Sequence, residues 1–187
     1  MATSSTPYGL RPKASPSGDR MGGVALSVPA CVQAGYNTAL YQGQPVTLSG
    51  GYVTAVTGNA PTGIVGIFAQ LPAESENDTT GDYTGHYRAN SAQRDIVVNL
   101  YSNTDAYFQI QSGGALTQAA VGSYAGLGSI GTGTAGGRSS CILTASSVNA
   151  TYNASNHCLR IVGFASPVTD AFPDMVVQIL KRNSFNY

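Results

Sequence analysis

Tryptophan is absent from this chain of 187 residues, and charge is scarce: nine Lys and Arg and nine Asp and Glu make up 10% of it and cancel to a net charge of zero. Ordinary soluble proteins carry roughly 25% charged residues. The shortage excludes a phosphate-binding face, which needs a concentrated excess of Lys and Arg, so nucleic acid is not an expected partner. It also leaves little electrostatic repulsion to keep copies dispersed, which makes sense if partners cover much of the surface. Long apolar runs are missing as well: no stretch reaches the roughly eighteen residues of a membrane span, so no membrane partner is expected. Met1–Gly9 is polar and lacks the apolar stretch of a secretion signal, so the expectation is synthesis in a cytoplasm and solubility until assembly. Cysteine is limited to Cys31, Cys141 and Cys158. An odd number without CxxC spacing argues against a disulfide framework and against a zinc ribbon.

What stands in place of charge is Thr, Ser, Asn and Gln, with 23 Gly and 11 Tyr. Hydrophobic residues make up an ordinary 42%, and disordered chains instead combine low hydrophobicity with high charge. The length suits one domain, or one domain with an appended arm, and it buries enough core to fold without a metal or disulfide.

Residues 1–23 are rich in Ser, Thr, Pro and Gly, with only Tyr8, Leu10 and Met21 to pack; they are expected to form an extended N-terminal arm. From Val24 short β-type runs follow, bounded by Gly, Pro and Asn. Val24–Val32 contains Pro29 and is at best an edge strand. Ala39–Tyr41 and Pro45–Leu48 precede Ser49-Gly50-Gly51, whose glycines suit a tight hairpin turn into Tyr52–Thr57. Ile64–Ala69 is short and apolar throughout, as in a strand buried on both faces. Residues 71–90, with Glu74, Glu76, Asp78 and Asp82, are expected to form a surface loop. Further strands are expected at Asp95–Tyr101, Ala106–Gln111, Ser140–Thr144, Leu159–Phe164 and Met175–Leu180. Residues 122–137 carry seven Gly (122, 126, 128, 131, 133, 136 and 137), too many for a helix and weakening for a strand, so a long Gly-rich loop is expected there. Ala115–Ala120 has room for a turn or two of helix before Gly122. The expectation for residues 24–187 is therefore a single all-β domain, a barrel or a sandwich of short antiparallel strands. No repeat of constant period is present.

Motifs that carry chemistry fail on context. Gly126-Leu-Gly-Ser-Ile-Gly131 matches GxGxxG, but Thr-Gly-Thr-Ala-Gly-Gly follows it where a phosphate-binding helix would have to begin. Histidine is limited to His86 and His157. His157 adjoins Cys158, and neighbours on a strand point to opposite faces; a pairing of Cys141 with either His stays open. The acidic residues from Glu74 to Asp82 lack the ligand order of a calcium loop and read as a solvated segment. No pair of carboxylates stands out for glycosidic chemistry. No catalytic residue, cofactor or metal is expected, and the chain is read as a non-enzymatic protein.

Several stretches, in order along the chain, carry a resemblance. Tyr8-Gly-Leu-Arg-Pro12 looks like the start of a group of virion structural or capsid decoration proteins from tailed phages of marine and freshwater bacteria, cyanophages among them. Tyr36-Asn-Thr-Ala-Leu-Tyr-Gln-Gly-Gln-Pro-Val46 resembles that group's aromatic, apolar pair and Gly-polar-Pro-Val turn. Pro61-Thr-Gly-Ile-Val-Gly-Ile-Phe68, Asp105-Ala-Tyr-Phe-Gln-Ile-Gln111 and Leu159-Arg-Ile-Val-Gly-Phe164 are similar to its later strands. Residues 122–137 and the acidic loop depart from the pattern. The resemblance implies a cement protein on the outer surface of the virion, bridging neighbouring major capsid protein subunits and self-associating as a trimer or dimer. It offers no catalytic residues. Tyr8, Leu10, Arg11 and Pro12 are the expected partner-binding anchors, reached by an arm that orders on binding. The alternative is a phage fibre, spike or host-attachment (adhesin) subunit, although repeats are lacking and a glycan binder would favour Trp.

Overall fold

The structure, a computed structural model, describes residues 4–13, 27–59, 61, 63–70, 86–87, 89–90, 95–101, 106–134 and 136–180. Among them lie eleven strands and one short 3-10 turn, Gln118–Ala120. The strands are β1 (Arg11–Lys13), β2 (Ser27–Val32), β3 (Pro45–Ser49), β4 (Tyr52–Ala55), β5 (Gly66–Gln70), β6 (Ile96–Tyr101), β7 (Tyr107–Gln111), β8 (Tyr124–Gly128), β9 (Ile142–Asn149), β10 (Leu159–Phe164) and β11 (Asp174–Ile179). They form two antiparallel sheets, one of six strands in the order β1-β7-β11-β10-β8-β9 and one of five in the order β2-β6-β5-β3-β4. Neither closes into a barrel, so the all-β fold is sandwich-like.

Local sequence explains much of this. Ser49 pairs with Tyr52, and the two residues between them, Gly50 and Gly51, have φ of 57° and 85°. A two-residue hairpin turn of this hand demands positive φ at both positions, which glycine adopts without strain. Pro29 sits inside β2 opposite Asn99, and β2 is the outermost strand of its sheet, where a missing N–H is tolerated.

Two apolar clusters hold the sheets. The first gathers Phe108, Ile110, Ala125, Leu127, Leu143, Leu159, Ile161, Met175 and Val177 from the six-stranded sheet, with Ile64 and Ile67 reaching in from the other. The second gathers Val32, Val46, Val53, Phe68, Val98 and Leu100. β5 divides the two: Ile67 faces the first cluster and Phe68 the second, so its apolar run is buried on both faces as its composition predicts.

The Gly-rich stretch departs from expectation. Tyr124–Gly128 is a core strand between β10 and β9, with Ala125 and Leu127 fully buried. Its glycines mark crowding: a Cβ at Gly126 would lie 2.4 Å from the carbonyl oxygen of Asn156, and one at Gly128 2.9 Å from Thr144 Oγ1. Gly122 and Ser123 lie in the turn before this strand, and the described residues beyond Gly128 behave as a loop, with Gly133 bridged to Ser139.

Most of the expected surface loop 71–90 lies outside the described residues, but Tyr87 contradicts the reading at its end. It is fully buried, bridges to Leu40, and its hydroxyl donates to the carbonyl of Tyr36 at 2.9 Å. An aromatic ring among polar neighbours supplies apolar area to the second cluster, and its hydroxyl finds an acceptor there.

Candidate interaction site at the N-terminal segment

The four residues expected as partner-binding anchors lie in a segment docked on the chain's own body. Leu10 is 1% exposed and belongs to the first apolar cluster. Its N–H donates to the carbonyl of Gly43 at 2.8 Å. Gly9 (φ 75°) and Gly43 (φ 86°) meet backbone to backbone, and a Cβ at Gly9 would lie 2.6 Å from the Gly43 oxygen. β1 follows at once, pairing Arg11 with Gln109, Pro12 with Phe108 and Lys13 with Tyr107. Residues 1–23 were expected to form an extended arm apart from the body; residues 4–13 are instead docked on the chain's own sheet, and residues 1–3 and 14–23 lie outside the described residues. The physical reason is that Leu10 finds an apolar socket, β1 a ladder on β7 and Tyr8 a carboxylate, contacts that together oppose the entropy of ordering the segment.

Cross-strand partners share a face of a sheet, and the register sets which side chains meet. Pro12, Phe108 and Val177 lie on the inner face; Arg11, Gln109 and Val176 lie on the outer one. The outer face carries a polar clamp. Tyr8 donates its hydroxyl to Asp174 Oδ1 at 2.7 Å, and Gln109 Nε2 donates to Asp174 Oδ2 at 3.0 Å, so both carboxylate oxygens are engaged. The Arg11 guanidinium lies 3.9 Å from the centre of the Tyr8 ring, within cation–π range. Thr6 N–H donates to Gln111 Oε1 at 2.9 Å. These contacts place residues 6–8 over the outer face of β7 and β11, where Gln111 and Val176 are buried. Burial, and then the Asp174 carboxylate, push the Tyr8 hydroxyl well above the ordinary tyrosine range. A phenol so held is a fixed hydrogen-bond donor and supplies no base or nucleophile. Arg11 and Pro12 remain exposed on the outermost strand of the sheet.

The two histidines and the two buried cysteines are engaged in the fold. His157 is 3% exposed; its Nδ1 accepts from the N–H of Asn153 at 2.9 Å, which leaves Nε2 as the donor to the carbonyl of Ser147 at 2.8 Å. Tyr124 stacks on its ring and Tyr152 meets it edge-on. Cys158 is buried, and burial pushes its thiol up to about 12. Cys141 is buried too, and its thiol is raised by burial and by the proximity of Cys158. Both prefer the thiol to the thiolate, the form that nucleophilic attack requires. His86 stacks on Tyr41 with ring centres 5.5 Å apart. In the GxGxxG stretch, Gly126 and Gly128 belong to β8 and a turn follows, so there is no helix N-terminus to meet a phosphate. The acidic residues Glu74–Asp82 lie outside the described residues.

Sequence reasoning missed Gln109, Gln111 and Asp174 as partners of the N-terminal segment. Asp174 follows Pro173 at the start of the last strand, and nothing local ties it to a tyrosine 166 residues away. A second polar pin was equally invisible. Asp95 accepts from the N–H of Ala34 at 2.9 Å and from the hydroxyl of Tyr52 at 2.8 Å, and these bonds hold its carboxyl below the usual range.

Comparison with protein-family models, with curated proteins and with solved structures found no match for this chain.

Proposed function

We propose that this protein is a non-enzymatic structural component of a phage virion, which decorates the outer surface of the assembled capsid and cements neighbouring major capsid protein subunits. The observation that carries the reading is the union of a charge-poor surface with a two-sheet β body whose N-terminal Tyr8-Gly-Leu-Arg-Pro12 motif is seated in the fold. The order of the motifs that resemble decoration proteins adds to it. A sparsely charged surface suits a wide protein interface, because few charges lose their hydration without a partner. Many copies that each clamp adjacent subunits add stability to a pressurised shell through mass action and avidity.

In this reading Tyr8 and Leu10 fix the segment to the body, while the exposed rim strand meets the capsid edge-on, with Arg11 on one face of it and Pro12 on the other. The test compares particles with and without the protein. Decorated particles are expected to retain their DNA to a higher temperature, and equal retention would overturn the cementing role.

A further inference from the structure

We infer that residues 4–13 form an exchangeable plug, and that the seat between Gly43, β7 and β11 also accepts this segment from a second copy of the chain. The inference gives a structural route to the self-association that the resemblance implies, and does not depend on the capsid reading.

Among the described residues, the contacts that seat the segment on the body are made to residue 43 or beyond: Leu10 and Gly9 to Gly43, Gly9 to Ser139, β1 to β7, Thr6 to Gln111 and Tyr8 to Asp174. β1 belongs to one sheet, whereas β2, the next strand in the chain, lies at the rim of the other. Residues 14–26 separate them, a stretch with Pro16, Gly18, Gly22 and Gly23 that would reach at most about 45 Å if fully extended. A plug and seat joined by such a connector keep the same contacts whether they belong to one copy or to two, the condition under which exchange carries little cost.

The rim itself favours exchange over plain edge-to-edge growth. Pro12, in the middle of β1, has no N–H to offer a further strand, and Arg11 beside it is charged and exposed. Both features blunt pairing at a sheet edge. A second copy is thus accommodated by replacing β1 rather than by adding a strand beyond it.

The test uses the full chain with Cys31→Ser to remove the one partly exposed thiol. Arg11 and Gln109 are register partners. Arg11→Cys and Gln109→Cys are made as separate variants, refolded together at high concentration and oxidised with copper-phenanthroline. Disulfide-linked heterodimers on a non-reducing denaturing gel, absent when either variant is oxidised alone, are the expected result. No heterodimer in the mixture, with the Arg11→Cys/Gln109→Cys double variant locking as a single chain, would overturn the exchange. A double variant that forms neither link would overturn the seat and the inference with it. Should either cysteine prevent folding, Lys13→Cys with Tyr107→Cys probes the same ladder one pair away on that face. The experiment needs no capsid, so its failure leaves the decoration reading standing, and the reverse holds as well.

Discussion

Tyr8 and Asp174, 166 residues apart in sequence, are joined by a hydrogen bond of 2.7 Å that fastens the start of the chain to its last strand. Around this bond the Gln109 amide closes the second carboxylate oxygen and the Arg11 guanidinium covers the phenol ring.

Removing that hydroxyl tests the clamp. Tyr8→Phe is expected to cost about 1 kcal/mol, below the usual range for a bond to a charged acceptor because the group is partly exposed. In a double-mutant cycle with Asp174→Asn, urea unfolding is expected to show non-additive losses; strictly additive losses would mean that the two residues act independently.

The apolar anchor is the stronger one. Leu10→Ala is expected to destabilise by about 2–5 kcal/mol, as for other buried leucines, and Leu10→Asp by more. An unseated arm would tolerate both changes with no shift in thermal midpoint, so calorimetry of the two variants decides between the alternatives.

Among the described residues, five groups give the stability a pH signature: Asp95, Tyr8, Tyr52 and the buried thiols of Cys141 and Cys158. The thiols have pKa values raised by burial, so their contribution fades as pH rises beyond the unfolded thiol value, about 8.5. Asp95 has a lowered folded pKa, set first by the Ala34 N–H and then by the Tyr52 hydroxyl. Its contribution is present above the unfolded value, about 3.9, and is lost as pH falls through the folded value. Tyr8 has a raised folded pKa, through burial and then Asp174, and so does Tyr52, chiefly through Asp95. Their contributions are present below the unfolded tyrosine value, about 10, and fade as pH rises beyond it toward the folded values. Urea midpoints between pH 2 and 5 and between pH 9 and 12 read both limbs. Tyr8→Phe is expected to weaken the alkaline limb and leave the acid limb in place.

The thiols should separate by burial. Cys31 is partly exposed, whereas Cys141 and Cys158 are buried with raised pKa values. Titration of the native protein with a thiol-specific disulfide reagent is expected to count one fast thiol, and all three after denaturation. Rapid reaction of Cys158 in the native state would contradict the packing described around His157.

How far the sequence anticipated the structure depends on how local each cause is. The Gly50-Gly51 turn, the edge position of β2 with its Pro29, and the two-faced burial of Ile67 and Phe68 were all legible, because turn chemistry and alternation act over a few residues. Gly126 and Gly128 misled, because glycine signals close approach as readily as looseness, and the approaching atoms, Asn156 O and Thr144 Oγ1, lie far along the chain. The buried Ala125 and Leu127 between them were the better signal. Leu10 was expected to anchor the arm on a partner, whereas it packs in the chain's own core: a lone apolar residue in a polar segment specifies burial and not the surface that supplies it. The Tyr8–Asp174 and Tyr52–Asp95 pairs arise only once distant strands are in register.

The most direct measurement of the central claim is an electron cryomicroscopy reconstruction of intact particles from the source of this protein. The account predicts density for the two-sheet body at every equivalent position on the outer shell, with each copy touching at least two major capsid subunits and the rim around Arg11 and Pro12 facing the shell. A shell without this density, or copies confined to a tail or a single vertex, would contradict it.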